Sequence, residues 1–229
     1  MNNKELEFYF DYLSPYAYFG WINATSFCAK HQLKLVPRPV VFGKLLDHWG
    51  QLGPAEIPPK RQWLGKYCLL YAAKHNIPLA FPKYHPFNSL TALRLSLNEV
   101  SGPHQQAIIT ALFDASWGQG GDMGDDGEIE QLLNAKGLPG TELMAKAKTE
   151  SIKDTLKAAT AAAIERGVFG IPTMIINGEL FWGNDQFEFI ADFVNDRELF
   201  AAISAAAQSP KARAIDRKAF LSREENKSP

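Results

Sequence analysis

Residues 7–18 read EFYFDYLSPYAY, a pattern that predicts a short buried strand leading directly into a helix. Phe8 and Phe10 would face one side of a sheet, because side chains alternate along a strand. Ser14 is a favoured residue at a helix N-cap, and Pro15 suits the first helical position. The Ser14 hydroxyl is therefore expected at the positive end of a helix, where α/β folds place anion sites and nucleophiles. A serine in this position can also act only as a cap, and both interpretations stay open for this stretch.

The composition argues against several classes of protein. The chain has 229 residues, of which 46% are hydrophobic, so a sizeable core is possible. A net charge of −1 argues against nucleic acid or an anionic membrane as the main partner. No apolar run approaches the ~20 residues of a spanning helix. The acidic Glu5 and Glu7 are unlike a signal peptide. We therefore expect a soluble, cytoplasmic protein.

The first 42 residues predict a strand–helix–strand unit. Strands are expected at 5–11 and 34–42, with a helix at 15–30 between them, and such a parallel crossover should be right-handed. Pro37 and Pro39 place the second strand at a sheet edge or at an irregularity.

The middle of the chain changes to helical spacing. Residues 43–59 are rich in Gly and Pro and favour a long loop. Apolar residues then recur at intervals of three and four up to about residue 166. This spacing predicts helices at 60–75, 88–101, 103–117, 127–136 and 141–166.

Strand periodicity returns after Gly167. A strand at 171–177 ends in Asn177-Gly178, a hairpin signal, and its partner strand at 179–182 leads into a closing helix. We predict an α/β fold with a four-stranded sheet, ordered βαβ and then ββα along the chain. The predicted domains are residues 1–42 with 167–200 for the sheet, 43–166 for a helical insertion, and 201–229 for a C-terminal helix and solvated tail.

Three motifs resemble one family. They are residues 8–18, GVFGIPT at 167–173 and FWGND at 181–185. Together they resemble the 2-hydroxychromene-2-carboxylate isomerases and kappa-class glutathione transferases. The resemblance implies a thioredoxin-like fold with a DsbA-type helical insertion. It also implies that Pro172 is cis and that Ile171, the residue before it, faces the active site.

The resemblance assigns a glutathione site. Ser14 matches the serine that replaces a redox cysteine and holds the glutathione sulfur. Ile171 matches the residue whose backbone pairs with the cysteinyl unit. Asn184 and Asp185 match the turn that grips the γ-glutamyl end.

Further positions follow from the same resemblance. Lys60 resembles a lysine near a glutathione carboxylate, and Gln51 stands where relatives often have Asn. Asn88 resembles a position on the substrate side. Independently of the resemblance, Tyr16, Trp117 and Trp182 are candidates for the walls of a substrate pocket, although large aromatic side chains more often belong to the core. Family members are commonly dimers, so the resemblance implies a homodimer.

The chemistry of Ser14 favours a donor over a nucleophile. A serine hydroxyl is too weak an acid to react without a base, and no local motif supplies one. A thiol of pKa ~8.5 ionises more readily at a helix N-terminus beside a hydroxyl donor. We interpret Ser14 as the donor to a glutathione thiolate. The resemblance implies a glutathione-dependent isomerase, in which that thiolate would add to a C=C of an aromatic 2-oxo acid such as ring-opened 2-hydroxychromene-2-carboxylate, allow rotation about the single bond, and leave again.

Two alternatives stay open. A kappa-type transferase or peroxidase would consume glutathione, and a non-catalytic protein would only bind it.

A dithiol oxidoreductase is disfavoured because Cys28 lies 14 residues after Ser14, about 20 Å along a helix. We expect Cys28 and Cys68 to be buried hydrophobes. The histidine spacings, and the loop at 122–133, predict no metal site.

Overall fold

Four strands form one mixed sheet in the computed structural model, which describes residues 5–207 apart from the side chains at 197 and 199. The strands are β1 (Glu5–Phe10), β2 (Lys34–Pro39), β3 (Thr173–Ile176) and β4 (Glu179–Trp182). Their order is β2-β1-β3-β4, with β1 parallel to β2 and β3 antiparallel to both of its neighbours. The predicted sheet is confirmed, and the proline-containing β2 lies at its edge as expected.

The central strand β1 has both of its faces buried. On one face Phe8 and Phe10 contact Trp21 of helix α1 (Pro15–His31), with ring centroids 5.8 and 6.2 Å away. On the other face Tyr9 joins a second apolar cluster that includes Ile171 and Ile175. Because helices cover both faces, the start of α1 and the segment before β3 are held at fixed positions next to the sheet.

Ser14 caps helix α1 as the sequence predicts. Its backbone is extended (φ −103°, ψ 115°), and its Oγ accepts a hydrogen bond from the Ala17 N–H at 3.1 Å. The helix ends at Gln32, which has a left-handed backbone conformation.

Helices occupy the chain between β2 and β3. They are α2 (Phe42–Trp49), α3 (Pro58–His75), α4 (Leu90–Leu95), α5 (Asn98–Ser101), α6 (Gln105–Phe113), α7 (Asp126–Ala135), α8 (Gly140–Ala147) and α9 (Glu150–Glu165). Short 3-10 turns lie at Pro54–Glu56 and Gly102–His104, and a π turn lies at Asp114–Gly118.

Three predicted boundaries in this block are wrong. The expected loop at 43–59 contains α2, whose first N–H, that of Phe42, is bound by the carboxylate of Asp11 from β1's end rather than by a local cap. The expected helix at 88–101 is broken at Leu97, which has an extended backbone. The expected helix at 141–166 is broken at Thr149 for the same reason.

Backbone contacts group the chain into two units, residues 1–187 and 188–229. The described part of the second unit holds most of α10 (Phe187–Asn195) and all of α11 (Arg197–Ala207), with the rings of Phe193 and Phe200 5.4 Å apart. The predicted division into residues 1–42 with 167–200, and 43–166, stays a prediction. The predicted tail beyond residue 207 lies outside the described residues. None of the helices within residues 5–207 has both the length and the apolar character needed to cross a bilayer.

Candidate functional site

The start of α1 and the segment before β3 lie at the same end of the sheet. Tyr9 pairs with Thr173 in antiparallel register, so the chain leaves β1 where it enters β3. The Ile171–Pro172 peptide is cis, as the resemblance implies. Pro172 packs directly on α1, because a Cβ added at Gly20 would lie 3.0 Å from its Cγ. This contact fixes the distance between the helix and the cis-proline segment.

The Ser14 hydroxyl is buried but keeps its proton available. The residue is 8% exposed, and its oxygen acts as an acceptor for the Ala17 N–H. Within residues 5–207 no acceptor lies in hydrogen-bonding position for the hydroxyl proton. Capping the helix therefore uses the oxygen lone pair and leaves the O–H free to donate to a ligand.

Asp11 is a buried carboxyl below the same turn, and the sequence reasoning assigned no role to it. It is fully buried, and its oxygens accept from the Leu13 N–H at 3.2 Å and the Phe42 N–H at 3.0 Å. Burial raises the pKa of Asp11, while the hydrogen bonds from Phe42, Ser89 and Leu13 act in the opposite direction. Asp11 therefore ties the turn that carries Ser14 to the start of α2. The sequence signal that could have identified Asp11 is an acidic residue within an otherwise apolar stretch.

Ile171 has an unpaired backbone. Its side chain is 6% exposed and belongs to the core cluster with Tyr9 and Val168. Its N–H and carbonyl have no hydrogen-bond partner within residues 5–207, whereas the next carbonyl, of Pro172, accepts from Gly183 N–H at 3.0 Å. The Ile171 peptide groups are therefore available for a ligand that pairs like a strand.

The turn after β4 leaves a buried donor without a partner. Asn184 is only 5% exposed, and its Nδ2 has no hydrogen-bond partner in the described part of the chain. Its backbone carbonyl accepts from Asn23 Nδ2 of α1 at 3.2 Å. Asp185 is exposed, accepts only from Gln186 Nε2 at 3.1 Å, and forms no ion pair within residues 5–207. An unpaired amide donor next to a free carboxylate fits the carboxylate and ammonium of an α-amino acid.

Tyr16 lies on this side of the site. Its ring is 5.0 Å from that of Tyr67 in α3. Burial, together with the nearby Cys68, Tyr67 and Asp185, raises the pKa of Tyr16 to about 12. Burial also raises the pKa of Tyr67, whereas the Asn184 side chain lies close enough to the Tyr67 hydroxyl to lower it, although Asn184 Nδ2 forms no hydrogen bond of ordinary geometry with it. The structure thus brings Tyr16 to the 184–185 turn and adds Tyr67 of α3, which the sequence analysis did not identify as a site residue.

Gln51 and Trp182 lie around the segment that precedes Ile171. Gln51 Nε2 donates to the Phe169 carbonyl at 2.5 Å. Trp182 is 54% exposed, its ring lies 5.0 Å from that of Phe169, and a Cβ at Gly170 would lie 2.7 Å from its Nε1. Both side chains therefore shape the loop that leads into the cis-proline, and Gln51 already uses its amide donor there.

Lys60 and Asn88 are exposed. Lys60 lies in the first turn of α3 and has no ion-pair partner within residues 5–207. The Asn88 side chain accepts from the N–H of Leu90, the first residue of α4, at 3.1 Å.

A cleft of about 280 Å³ opens beside Pro15, the first residue of α1, and Ser14 is not among its lining residues. Its apolar walls include Pro15, Leu64, Phe81 and Trp117. Arg61, Lys83 and His85 also line it. A cleft with aromatic walls and cationic side chains suits a planar anion.

The lining of this cleft differs from the predicted substrate contacts. Of the side chains expected on the substrate side, Trp117 lines the cleft, whereas Tyr16, Asn88 and Trp182 are not among its lining residues. Arg61, Lys83 and His85 were missed, because their convergence depends on the path of the 76–89 connection. A larger groove of about 400 Å³, lined by Thr110, Asp114 and Lys136, contains none of the predicted site residues.

The two cysteines are buried free thiols, as predicted. Burial raises the pKa of Cys28 to about 11 and that of Cys68 to about 12. Thiols with such high pKa values are poor nucleophiles at neutral pH. Within residues 5–207 no group of three or more His, Cys, Asp and Glu side chains is arranged to hold a metal ion.

Comparison with known proteins gives concordant matches. The family described as DSBA-like thioredoxin domain matches residues 5–195. A 2-hydroxychromene-2-carboxylate isomerase of Sphingobium xenophagum is 28% identical over 196 residues, which cover 84% of this chain and 99% of that protein. Glutathione S-transferase kappa 1 of Rattus norvegicus is 24% identical over 212 residues, which cover 85% of this chain and 92% of that protein. A solved structure of a 2-hydroxychromene-2-carboxylate isomerase has a TM-score of 0.77 at 23% identity, covering 90% of this chain and 100% of that one.

These matches confirm the fold class that the three motifs implied. The sheet is thioredoxin-like, and the helices inserted between β2 and β3 are of DsbA type. The matched proteins are isomerases and glutathione transferases, so the relatives of this chain are enzymes.

Proposed function

Since the chain belongs to the family of DSBA-like thioredoxin domains, we propose that it is a glutathione-dependent cis–trans isomerase. Its proposed substrate is an aromatic 2-oxo or 2-hydroxy acid such as 2-hydroxychromene-2-carboxylate. That compound is named in three relatives that are 28–29% identical to this chain. Glutathione acts as the cofactor and is returned unchanged.

The buried amide of Asn184 is the observation that carries this proposal. A buried donor without an acceptor costs about 1–3 kcal/mol, and Asn184 Nδ2 has none within residues 5–207. The γ-glutamyl end of glutathione has a free carboxylate to accept from Asn184 and an ammonium to pair with Asp185. Tyr16 and Tyr67 flank this position on the α1 and α3 sides.

The cysteinyl unit then pairs with Ile171. Its N–H and carbonyl meet the unpaired carbonyl and N–H of Ile171, as in a strand added to a sheet edge. This pairing directs the sulfur toward the N-terminus of α1, where Ser14 donates its hydroxyl proton to the thiolate. The hydrogen bond and the helix dipole both favour the anionic sulfur.

The reaction balances without a redox partner. The thiolate adds to the C=C bond, and the π pair moves to the conjugated carbonyl to give an enolate. The former double bond rotates as a single bond. The enolate then re-forms the carbonyl, restores the C=C, and expels the thiolate.

The remaining predicted residues take supporting positions in this proposal. Lys60 approaches the glycine carboxylate of glutathione from the exposed start of α3. Gln51 holds the loop before Ile171, and Trp182 covers the same loop. Asn88 keeps its proposed place on the substrate side.

Calorimetric titration with glutathione tests the proposal. The wild type should bind, and Asp185→Ala should weaken binding about 10- to 100-fold, because a charge-assisted contact contributes about 1.5–3 kcal/mol. Ser14→Ala should weaken binding of glutathione but not of S-methylglutathione, which has no thiolate. His104→Gln, on the exposed surface, is the control. Absence of heat with the wild type would contradict both the isomerase and the transferase.

The second candidate is a kappa-type glutathione transferase or peroxidase, favoured by the 24% identity to the rat protein. The two are distinguished by counting free thiol as substrate is converted. An isomerase leaves the amount of glutathione constant, whereas a transferase consumes one thiol for each product. A non-catalytic glutathione-binding protein would give binding without conversion of any electron-poor aromatic enone.

We also propose a cytoplasmic homodimer. The cytoplasm supplies the reduced glutathione that the reaction requires. Sedimentation velocity at micromolar concentration should give about twice the chain mass of 25.5 kDa. A single species at the mass of one chain would contradict the dimer.

A further inference from the structure

His85 lines the cleft beside Pro15 with one of its two ring nitrogens already committed. Its Nε2 lies 2.8 Å from the carbonyl oxygen of Leu13. A carbonyl can only accept, so Nε2 carries a proton, and in the neutral form of the ring Nδ1 then has the lone pair. Nδ1 has no hydrogen-bond partner within residues 5–207. The neutral imidazole is therefore a base with a fixed tautomer.

The ring of His85 is held in place by its neighbours. It is half-buried, and its centroid lies 5.5 Å from that of Trp117 and 6.5 Å from that of Phe87. Leu13, whose carbonyl accepts the hydrogen bond from His85 Nε2, directly precedes Ser14. The imidazole is thus tied to the same turn that presents the Ser14 hydroxyl.

Two cations share the cleft with His85. Arg61 and Lys83 line it, and neither forms an ion pair within residues 5–207. Uncompensated cations beside apolar walls raise the local concentration of an anionic aromatic and stabilise negative charge on it. A substrate oxygen that loses a proton in this cleft would therefore gain stabilisation.

We propose that His85 is the proton-transfer residue for substrates that carry a hydroxyl on the aromatic ring. This inference rests on the proposed isomerase function. The substrate O–H bond breaks, and its proton moves to Nδ1. The phenolate oxygen then attacks the 2-oxo carbon and forms a C–O bond. The former carbonyl oxygen becomes an alkoxide and takes the proton back from Nδ1, which leaves a cyclic hemiketal and neutral His85.

A purely structural role would predict different behaviour. His85 also holds the Leu13 carbonyl, and loss of that bond by itself would disturb Ser14 whatever the substrate. Glutamine at this position keeps an N–H donor near the place of Nε2 but has no basic nitrogen. His85→Gln therefore removes the base and retains the tether.

The test uses two substrates, a hydroxyaryl 2-oxo enoic acid and its O-methyl ether, with glutathione present. For His85→Gln, kcat should fall about 100-fold on the hydroxyaryl acid, within the range for loss of a general base. Its KM should stay within about twofold, because the cationic side chains that hold the substrate remain. On the ether, which has no proton to transfer, the variant should match the wild type. His104→Gln should match the wild type on both, and free imidazole should restore part of the rate of His85→Ala.

Three outcomes overturn the inference. An equal loss on both substrates would assign His85 a structural role, and no loss on either would remove it from the reaction. A wild type that converts neither substrate would overturn the proposed function as well. Glutathione calorimetry on the same His85→Gln sample, and its thermal unfolding temperature, identify a misfolded variant, and the imidazole rescue of His85→Ala then decides.

Discussion

At Ser14 a single oxygen has two separate roles. Its lone pair accepts the Ala17 N–H and caps α1, and its proton has no acceptor within residues 5–207. The cap interpretation and the functional interpretation of the sequence are therefore compatible. They can be separated by comparison with a second side-chain cap, Asp125, which binds the Gly127 and Glu128 N–H groups of α7.

Ser14→Ala and Asp125→Ala should each destabilise the protein by about 1 kcal/mol, because each removes an N-cap. Only Ser14→Ala should also lower the glutathione-dependent rate, by about 100- to 1,000-fold, as for loss of one donor to a reacting anion. Urea unfolding and initial rates measure the two effects. Equal rates in the two variants would limit Ser14 to capping.

At the scale of the elements, α1 and the cis-proline segment are in tight contact at Gly20. A Cβ there would lie 3.0 Å from Pro172 Cγ and 3.3 Å from the Phe8 ring. A Cβ added at Gly43, in α2, would have no atom of another residue within 4 Å. The two glycines thus differ in packing although both are helical.

Gly20→Ala should destabilise the protein by about 1–3 kcal/mol through overpacking and lower glutathione affinity by moving Pro172 and Ile171. Gly43→Ala should instead stabilise α2 by up to about 1 kcal/mol, because alanine is the better helix former. Thermal unfolding and calorimetry check both. A Gly20→Ala protein with unchanged affinity would mean that the contact does not set the site.

An ion-pair cluster joins β1, β2 and the end of α9. The Glu7 carboxylate lies 2.8 Å from Arg38 Nε and 2.7 Å from Arg166 Nη1, and it accepts from the Tyr9 hydroxyl at 3.2 Å. Burial by itself raises the pKa of Glu7, but the hydrogen bonds and charges of Arg166 and Arg38 outweigh it, so the pKa is lowered. The folded state therefore favours the ionised carboxylate.

Glu7→Gln should lower the free energy of unfolding at pH 7 by about 1 kcal/mol. Because the pKa is lower in the folded state, this contribution is present above the unfolded pKa of about 4.3. It is lost as the pH falls through the folded value. Urea unfolding from pH 3 to 7 should show the wild type and the variant converging at the acid end. The exposed Glu99→Gln should show no such difference.

For the whole molecule, ligand binding should appear as stability. Glutathione at about 100 times its dissociation constant adds about 2.7 kcal/mol to the folded state, or roughly 5–10 °C in unfolding temperature for a chain of this size. Asp185→Ala should reduce the shift at the same concentration. A wild-type unfolding temperature that glutathione does not move would contradict the proposed site.

The order of elements was readable from local patterns because each strand and helix has its own period. The break at Leu97 and the helix α2 could not be predicted from local sequence patterns. Ser96 in the first case bonds the distant Tyr12 hydroxyl at 2.6 Å, and Phe42 in the second receives its cap from Asp11. Partners far apart in sequence leave no local signal.

The sequence by itself determined the strand–helix switch at Ser14, the hairpin at residues 177–178 and, through three motifs, the family. The switch and the hairpin are local properties of backbone propensity and capping, and the motifs are short stretches whose residues can be compared directly with those of a known family. Only the tertiary structure decided that Asn184 has a buried donor without a partner and that Arg61, Lys83 and His85 converge on one cleft. Both results arise from burial and from contacts between separate elements, which a linear chain does not specify until it is folded.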